Sequence, residues 1–235
     1  MPVLLLAQGD TIAKCALRKA IEARYGARPP SLDSLKINFN GRTLAKVGPV
    51  KTWVPVEVTA YFRFPMAMRW DFTVKPLKLP VQRGLEAFDG ATYHSARGGK
   101  PPTVITDPAQ VASMRRRMWA IAAILLTPLS ELFVKLSAIG ENSLWATNTK
   151  LDDAAEIHLR PDNSLDYVRV ECLNPDDNRW QNYIIRLSEE LVCINDLLLP
   201  AKMSAFWDDA PNFEFEPGLV ESNPNIPDSV FTLAE

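Results

Sequence analysis

The fold of this chain is decided by the stretch Leu197-Leu-Leu-Pro-Ala-Lys-Met-Ser-Ala-Phe-Trp207, which leads through Phe213-Glu-Phe-Glu216 to Asn223-Pro-Asn-Ile-Pro-Asp-Ser-Val-Phe231. It begins as an apolar strand that opens with Leu-Pro and reaches a turn at Asp208-Asp209. An alternating return strand and a closing Ile-Pro-Asp-x-x-Phe segment follow. Alternation on both sides of a short polar turn is typical of two antiparallel strands.

Composition limits the class of protein. The chain has 235 residues, of which 47% are hydrophobic and 23% charged, so we expect one sheet-rich domain over residues 1–235. The net charge is -2, and this excludes the basic footprint of a nucleic-acid-binding protein. The one dense basic cluster, Arg115-Arg-Arg117, is interpreted as a solvated helix face. Contact with anionic lipid headgroups is the alternative.

A two-residue period is clearest between Trp53 and Lys75, where apolar side chains alternate with polar ones. This pattern belongs to antiparallel strands with one covered face and one wet face. The predicted covered face is Val54, Val56, Val58, Ala60, Phe62 and Phe64, continued after Pro65 by Met68, Trp70, Phe72 and Val74. A proline-marked loop is predicted from Pro76 to Pro80.

Later segments predict further strands with short connections, which form a meander. They are Ala154–Leu159, Leu165–Leu173, Trp180–Leu187 and a hairpin formed by 85–95 about Asp89-Gly90. With the terminal pair, about ten strands are expected.

Helical signals occur in two regions. Asp10 and Gly26 flank an amphipathic segment as N-cap and C-cap. Asp107 before Pro108 begins a central helix that becomes apolar on all sides over Met118–Leu126, which is far too short to cross a bilayer. Beyond Pro128, a second central helix is predicted from Leu129 to Ile139.

The chemistry-bearing residues do not form a recognisable catalytic or metal motif. Cys15, Cys172 and Cys193 lack metal-ligand spacing and are interpreted as buried thiols, with a Cys172–Cys193 bridge left open for an oxidising compartment. His94 and His158 are far apart and are interpreted as ordinary. No catalytic residue, metal ligand or cofactor is predicted.

Two acidic pairs, Asp152-Asp153 and Asp208-Asp209, fall in predicted turns and are interpreted as solvated. The apolar run 3–7 is too short for a secretory core and has no basic segment before it, so we expect no complete signal peptide, or only the stub of one.

The order of elements resembles the lipoprotein-carrier domains of the LolA/LolB type. The matching segments are Phe64-Pro-Met-Ala-Met-Arg-Trp70, Phe88-Asp-Gly-Ala-Thr-Tyr93, the helices between Asp107 and Ile139, and Ile226-Pro-Asp-Ser-Val-Phe231. The resemblance implies an α+β fold in which a strongly curved antiparallel sheet, a half-barrel of roughly ten strands, is covered by an N-terminal helix and two central lid helices.

The same resemblance implies an internal cavity for lipid, lipoprotein acyl chains or another apolar small molecule, in the periplasm or elsewhere in the cell envelope. An envelope lipoprotein or a membrane surface is the further partner that it suggests. The expected ligand-binding residues are Val56, Val58, Phe62, Phe64, Met68, Trp70, Phe72, Trp119, Leu125 and Leu126. Packing of the same residues into an ordinary core is the competing interpretation.

One position departs from the family pattern. LolA-type carriers have an inward arginine immediately before the proline, where it latches the lid, and this chain has Phe64 there. Arg63 falls on the opposite face by the two-residue period. The resemblance therefore favours a plain apolar-ligand binder. Two alternatives stay open: an enzyme acting on an apolar aromatic intermediate, as the violacein-pathway protein VioE does on a related fold, and a structural envelope protein with a filled core.

Overall fold

Strands dominate the computed structural model, which describes residues 5–47, 49–75, 82–175 and 177–233. The α-helices of the described residues are α1 (Thr11–Tyr25), α2 (Pro108–Ile124) and α3 (Ser229–Thr232). The strands are β1 (Gln8–Gly9), β2 (Ser34–Val47), β3 (Val50–Arg63), β4 (Ala67–Val74), β5 (Gln82–Phe88), β6 (Tyr93–Arg97), β7 (Thr103–Ile105), β8 (Val134–Ala138), β9 (Ser143–Asn148), β10 (Asp153–Leu159), β11 (Leu165–Leu173), β12 (Trp180–Leu187), β13 (Leu191–Ile194), β14 (Leu197–Pro200), β15 (Met203–Trp207) and β16 (Ala210–Ser222).

Among the described residues, fourteen strands form one sheet in the order β1-β8-β9-β10-β11-β12-β15-β16-β2-β3-β4-β5-β6-β7, and β13 pairs with β14 separately. Neighbouring strands are antiparallel except β1 and β8, which are parallel. The sheet is strongly curved but open, and the class is α+β. Both the class and the curved sheet confirm the expectation from the sequence.

The predicted helix starts are confirmed by their caps. Asp10 Oδ1 accepts a hydrogen bond of 2.7 Å from the Ile12 amide. Asp107 Oδ1 accepts from the Ala109 and Gln110 amides at 2.8 and 3.2 Å. Each carboxylate satisfies amides that have no partner within the first helical turn. In the part of the chain that the structure describes, no helix combines the length and apolar character needed to span a bilayer.

The second central helix predicted from Leu129 to Ile139 is wrong. After α2, Leu126 takes a positive φ of 64°, a short 3-10 turn covers Thr127–Ser130, and the chain continues as β8. Val134 and Leu136 are buried and Lys135 is exposed, which is a strand alternation rather than a helical one. The apolar residues of β8 complete the sheet between β1 and β9.

The alternation predicted for β3 is confirmed, because every even-numbered residue from Val54 to Phe62 is at most 5% exposed while Glu57 is exposed. It is only partly confirmed for β4. Met68 is buried, but from position 69 to 74 both faces are half-buried. One cause is the C-terminal segment, which covers the outer face of this hairpin: Arg69 Nη1 donates to the Val230 carbonyl at 3.2 Å.

The closing Ile-Pro-Asp-x-x-Phe segment packs against the outer face of the β3–β4 hairpin. Ile226 and Phe231 form a small buried cluster with Ala67 on the outer face. Arg63 pairs with Asp228 and its guanidinium lies 5.1 Å from the centroid of the Phe231 ring. Arg63 therefore points away from the concave face, as predicted. The proline-marked loop predicted at 76–80 lies outside the described residues.

Candidate functional site

The concave face of the sheet is built by register. In neighbouring antiparallel strands, paired residues project to the same face. Ile37 pairs with Ala60, Ala60 with Trp70, and Trp70 with Glu86, so these four side chains form a row across β2, β3, β4 and β5. Because Ile37 and Ala60 are buried in the core, Trp70 and Glu86 face the same interior.

An aromatic band crosses this face; we define it as Trp70, Phe39, Phe215, Phe213, Tyr183 and Trp207. Its rings lie on β4, β2, β16, β12 and β15, which belong to one continuous part of the sheet. Successive ring centroids are separated by 5.9 Å (Trp70–Phe39), 5.7 Å (Phe39–Phe215), 4.5 Å (Phe215–Phe213), 6.3 Å (Phe213–Tyr183) and 4.8 Å (Tyr183–Trp207).

The aromatic band is not fully covered. Trp70 and Phe213 are half-buried, whereas Phe39, Phe215, Tyr183 and Trp207 are buried. Beside the band, the Phe72 ring lies over Gly84 so closely that a Cβ atom at position 84 would be 2.2 Å from Phe72 Cζ. The concave face thus presents accessible ring surface next to a packed core.

Helix α2 covers another part of the concave face, against β9, β10 and β11. The Trp119 indole Nε1 donates to the Ala146 carbonyl at 2.7 Å, and Ser113 Oγ accepts from the Leu173 amide at 2.7 Å. At the C-terminal end of α2, the Arg24 guanidinium donates to the Ile124 carbonyl, where a cation also favours the helix dipole. Burial lowers the pKa of Arg24.

The basic cluster on α2 is paired, so its interpretation as a solvated helix face is wrong. Arg115 Nε and Arg116 Nε lie 2.9 and 3.3 Å from the two carboxylate oxygens of Asp153, whose side chain is 1% exposed. The interpretation of Asp153 as a solvated turn residue is wrong for the same reason. Burial raises its pKa, and the two guanidinium groups act in the opposite direction.

The third arginine of the cluster enters a polar cavity. Arg117 Nη2 lies 3.4 Å from Glu86 Oε2, and Arg97 Nη2 lies 3.7 Å from Glu86 Oε1. The cavity has a volume of about 260 Å³, and Tyr93 and Ser113 are also among its lining residues. It lies between α2 and the β5–β6 hairpin, on the concave side of the sheet.

Titratable groups around this cavity are strongly perturbed. Burial acts to lower the pKa of Arg117, but the Glu86 carboxylate and nearby Tyr93, Cys172 and Tyr183 raise it, and the net direction is upward. Burial raises the pKa of Tyr93 and of Tyr183 well above the ordinary phenol value. Burial also raises the pKa of Cys172 to about 12. All four groups therefore keep their protons at neutral pH.

The ten residues expected to bind ligand fall into two sets. Seven are at most 4% exposed and pack in the core: Val56, Val58, Phe62, Met68, Trp119, Leu125 and Leu126. The other three, Phe64, Trp70 and Phe72, are half-buried, and the Phe64 ring stacks on Phe62 with centroids 5.8 Å apart. The sheet residues share the concave face, so a ligand-binding role for the half-buried set stays a prediction.

Sequence reasoning missed the other five rings of the aromatic band, together with Glu86 and Arg117. The helical period contained a signal for Arg117, because Gln110, Met114, Arg117 and Ile121 recur at three- and four-residue spacing on one side of α2. Met114 and Ile121 make that side of α2 partly apolar, so an arginine between them is not expected to lie on a solvated face.

The cysteines are free thiols, so the bridge left open between Cys172 and Cys193 is not formed. The prediction of buried thiols is confirmed for Cys172 and is wrong for Cys15 and Cys193, which are exposed. Within the described ranges, no group of three or more His, Cys, Asp or Glu residues is arranged to hold a metal ion.

No protein-family model matches the chain, and no curated protein matches it. Its structure is similar to a LolA superfamily protein from Nitrosomonas europaea, with 10% identity and a TM-score of 0.50 over 94% of this chain and 97% of that one. It is similar to a DUF1329 family protein from Desulfovibrio piger, with 10% identity and a TM-score of 0.51 over 94% and 98%.

A putative outer membrane lipoprotein-sorting protein domain from Vibrio parahaemolyticus also matches, with 12% identity and a TM-score of 0.48 over 94% and 97%. The chain has the LolA-like fold, as the order of its motifs predicted. At these identities the similarity shows the fold, and function has to be argued from the site.

Proposed function

We propose that this protein binds an apolar ligand, a lipid or the acyl chains of a lipoprotein, on the aromatic band of its concave face, and that it carries this ligand within the cell envelope. The observation that supports the proposal most directly is the half-buried state of Trp70 and Phe213 beside buried rings of the same band. Aromatic surface on the inner side of a curved sheet offers a large apolar contact area with a fixed shape.

The driving force would be hydrophobic transfer. Burial of apolar groups gives roughly 0.8 kcal/mol per methylene, so a segment of about eight methylenes would gain roughly 6 kcal/mol before the ordering of the chain is subtracted. Such binding would depend on contact area, so chain length would matter more than chain identity. The location in the envelope follows by analogy with lipoprotein carriers of this fold, and cell fractionation tests it.

Native mass spectrometry of gently purified protein is the first test, because a bound lipid appears as a mass increment. The second test is displacement of the neutral fluorescent probe N-phenyl-1-naphthylamine by an apolar ligand. Trp70→Ala should weaken probe binding. Trp53→Ala is the matched control. Trp53 lies one residue before buried Val54 on β3, so it faces the opposite side of the sheet. Its ring stacks with Arg42, whose guanidinium carbon is 4.7 Å from the ring centroid.

A protein that carries no lipid and shows no saturable probe binding would contradict the proposal. That result would favour a structural envelope protein with a filled core, for which the nearly complete burial of Phe62, Trp119 and Leu126 is the supporting observation.

A further inference from the structure

Three charged groups meet in the polar cavity without balancing each other. The guanidinium groups of Arg97 and Arg117 both face the single carboxylate of Glu86, at 3.7 and 3.4 Å. Among the described residues that line the cavity, two positive charges and one negative charge leave a net charge of +1. The Arg117 and Glu86 side chains are 21% and 12% exposed, so water screens them only weakly.

The contact between Arg117 and Glu86 leaves donors unused. A tight charge-assisted hydrogen bond between nitrogen and oxygen is about 2.7–2.9 Å long, and the 3.4 Å separation here is longer. Arg117 Nε is buried and has no hydrogen-bond partner among the residues that the structure describes. A buried donor without an acceptor is destabilising, and a ligand that supplies an acceptor would recover this energy.

The cavity adjoins the aromatic band. Glu86 is the cross-strand partner of Trp70, the first ring of the band, and the two side chains project to the same face. Tyr183 of the band is also one of the groups that raise the pKa of Arg117. A polar compartment of about 260 Å³ therefore lies beside a long apolar surface. Its volume is below the ~300–1,000 Å³ of pockets that enclose whole drug-sized ligands.

We propose that the cavity holds the acidic group of an amphipathic ligand, a carboxylate or a phosphate, whose apolar chain lies along the aromatic band, with the Arg117 guanidinium as the principal donor. This inference rests on the proposed function and defines the ligand class more narrowly. A guanidinium matches the planar geometry of a carboxylate or phosphate. Arg97, with its side chain 58% exposed, provides a second cation near solvent.

The test compares two ligands with the same chain, dodecanoate and dodecanol, as competitors of N-phenyl-1-naphthylamine at pH 8, where the carboxylate is ionised. Contact area alone would favour the alcohol, because it loses less solvation on leaving water. We expect the acid to bind the wild-type protein about tenfold more tightly, a difference that corresponds to one charge-assisted hydrogen bond.

Arg117→Gln should reduce this preference to within about twofold while dodecanol binding is retained, since glutamine is shorter than arginine and keeps a polar group but no charge. Glu86→Gln should increase the preference, because it removes the competing carboxylate. Arg42→Gln is the control: Arg42 forms an exposed pair with Glu214, its side chain is 52% exposed, and the preference should not change.

The outcomes separate the two proposals. Equal binding of acid and alcohol by the wild-type protein would overturn the head-group site and leave the apolar site intact, whether or not the variants fold. If neither dodecanoate nor dodecanol displaces the probe or a bound lipid, both proposals are overturned. Inorganic phosphate that binds as tightly as dodecanoate and competes with it would show a site for free anions and would also overturn the proposed ligand class.

Discussion

Asn148 on β9 donates a hydrogen bond from Nδ2 to the Pro65 carbonyl in the β3–β4 turn, at 3.2 Å. In the order of the sheet, β9 is well separated from β3 and β4, so the contact exists only because the sheet curves back on itself. Asn148 is 0% exposed, and its Oδ1 also accepts from the Lys150 and Leu151 amides at 3.0 and 3.3 Å. One side chain thus joins two distant parts of the curved sheet.

Asn148→Ala should lower the free energy of unfolding by about 1–3 kcal/mol, because it leaves buried donors and acceptors without partners. The measurement is urea unfolding followed by tryptophan fluorescence. Asn142→Ala is the control, since Asn142 is exposed, and it should change stability by no more than about 0.5 kcal/mol. Equal stability of the two variants would show that the contact across the curved sheet does not contribute to the stability of the fold.

Phe64→Arg should weaken binding of the neutral probe at least about fivefold, because a charge placed among apolar groups is costly unless it finds a partner. We expect the fold to be retained, since Phe64 is half-buried. Arg63→Ala is the adjacent control. It removes the exposed pair with Asp228, worth about 0–1 kcal/mol, and should leave probe binding unchanged. Equal effects would argue against a ligand-facing Phe64.

Asp153 should make stability depend on pH. Because its folded pKa is raised by burial, the folded state holds this proton more strongly than the unfolded state. The stabilisation that protonated Asp153 contributes is complete below the pKa of the unfolded chain, about 3.9, and it is lost as pH rises through the folded pKa. Arg115→Gln removes one of the two compensating cations, so it should make the free energy of unfolding fall more steeply as pH rises above about 4.

Urea unfolding of wild type and Arg115→Gln at several pH values measures this difference, and the other carboxyl groups cancel between the two proteins. Arg42→Gln changes an exposed ion pair, so its plot of unfolding free energy against pH should be parallel to that of the wild type. Parallel curves for Arg115→Gln as well would mean that Asp153 is ionised equally easily in both proteins.

The three thiols should differ in reactivity. Ellman's reagent at pH 8 should modify the exposed Cys15 and Cys193 in the native protein and all three thiols after unfolding. Cys172 is 0% exposed and burial raises its pKa to about 12, so little thiolate is available there. The raised pKa also predicts that the contribution of Cys172 to stability is constant below about pH 8.5 and is lost as pH rises toward 12. Rapid native modification of three thiols would contradict this prediction.

Local patterns predicted the meander well. The bounds of β11 and β12 agree with their alternation, because each strand lies between turn residues and pairs with a neighbour close in sequence. The helix starts at Asp10 and Asp107 could also be predicted, since a cap depends only on the next few residues.

Contacts between distant segments could not be predicted in the same way. The period of two shows that Phe39 and Phe215 each face one side, but not that β2 and β16 are neighbours, which brings the rings to 5.7 Å. Likewise, Arg115 and Asp153 each looked solvated because the partner that buries them is 38 residues away. The aromatic band and the charged cavity both depend on such contacts.

Gly84 sets how much room the concave face offers beside Trp70. Any side chain at this position would meet the Phe72 ring, and a Cβ atom would come within 2.2 Å of it. The Phe72 ring would then have to move. If the proposed ligand lies on this face, residue 84 would therefore help to set how thick a chain can bind, and Gly84→Ala would change that limit.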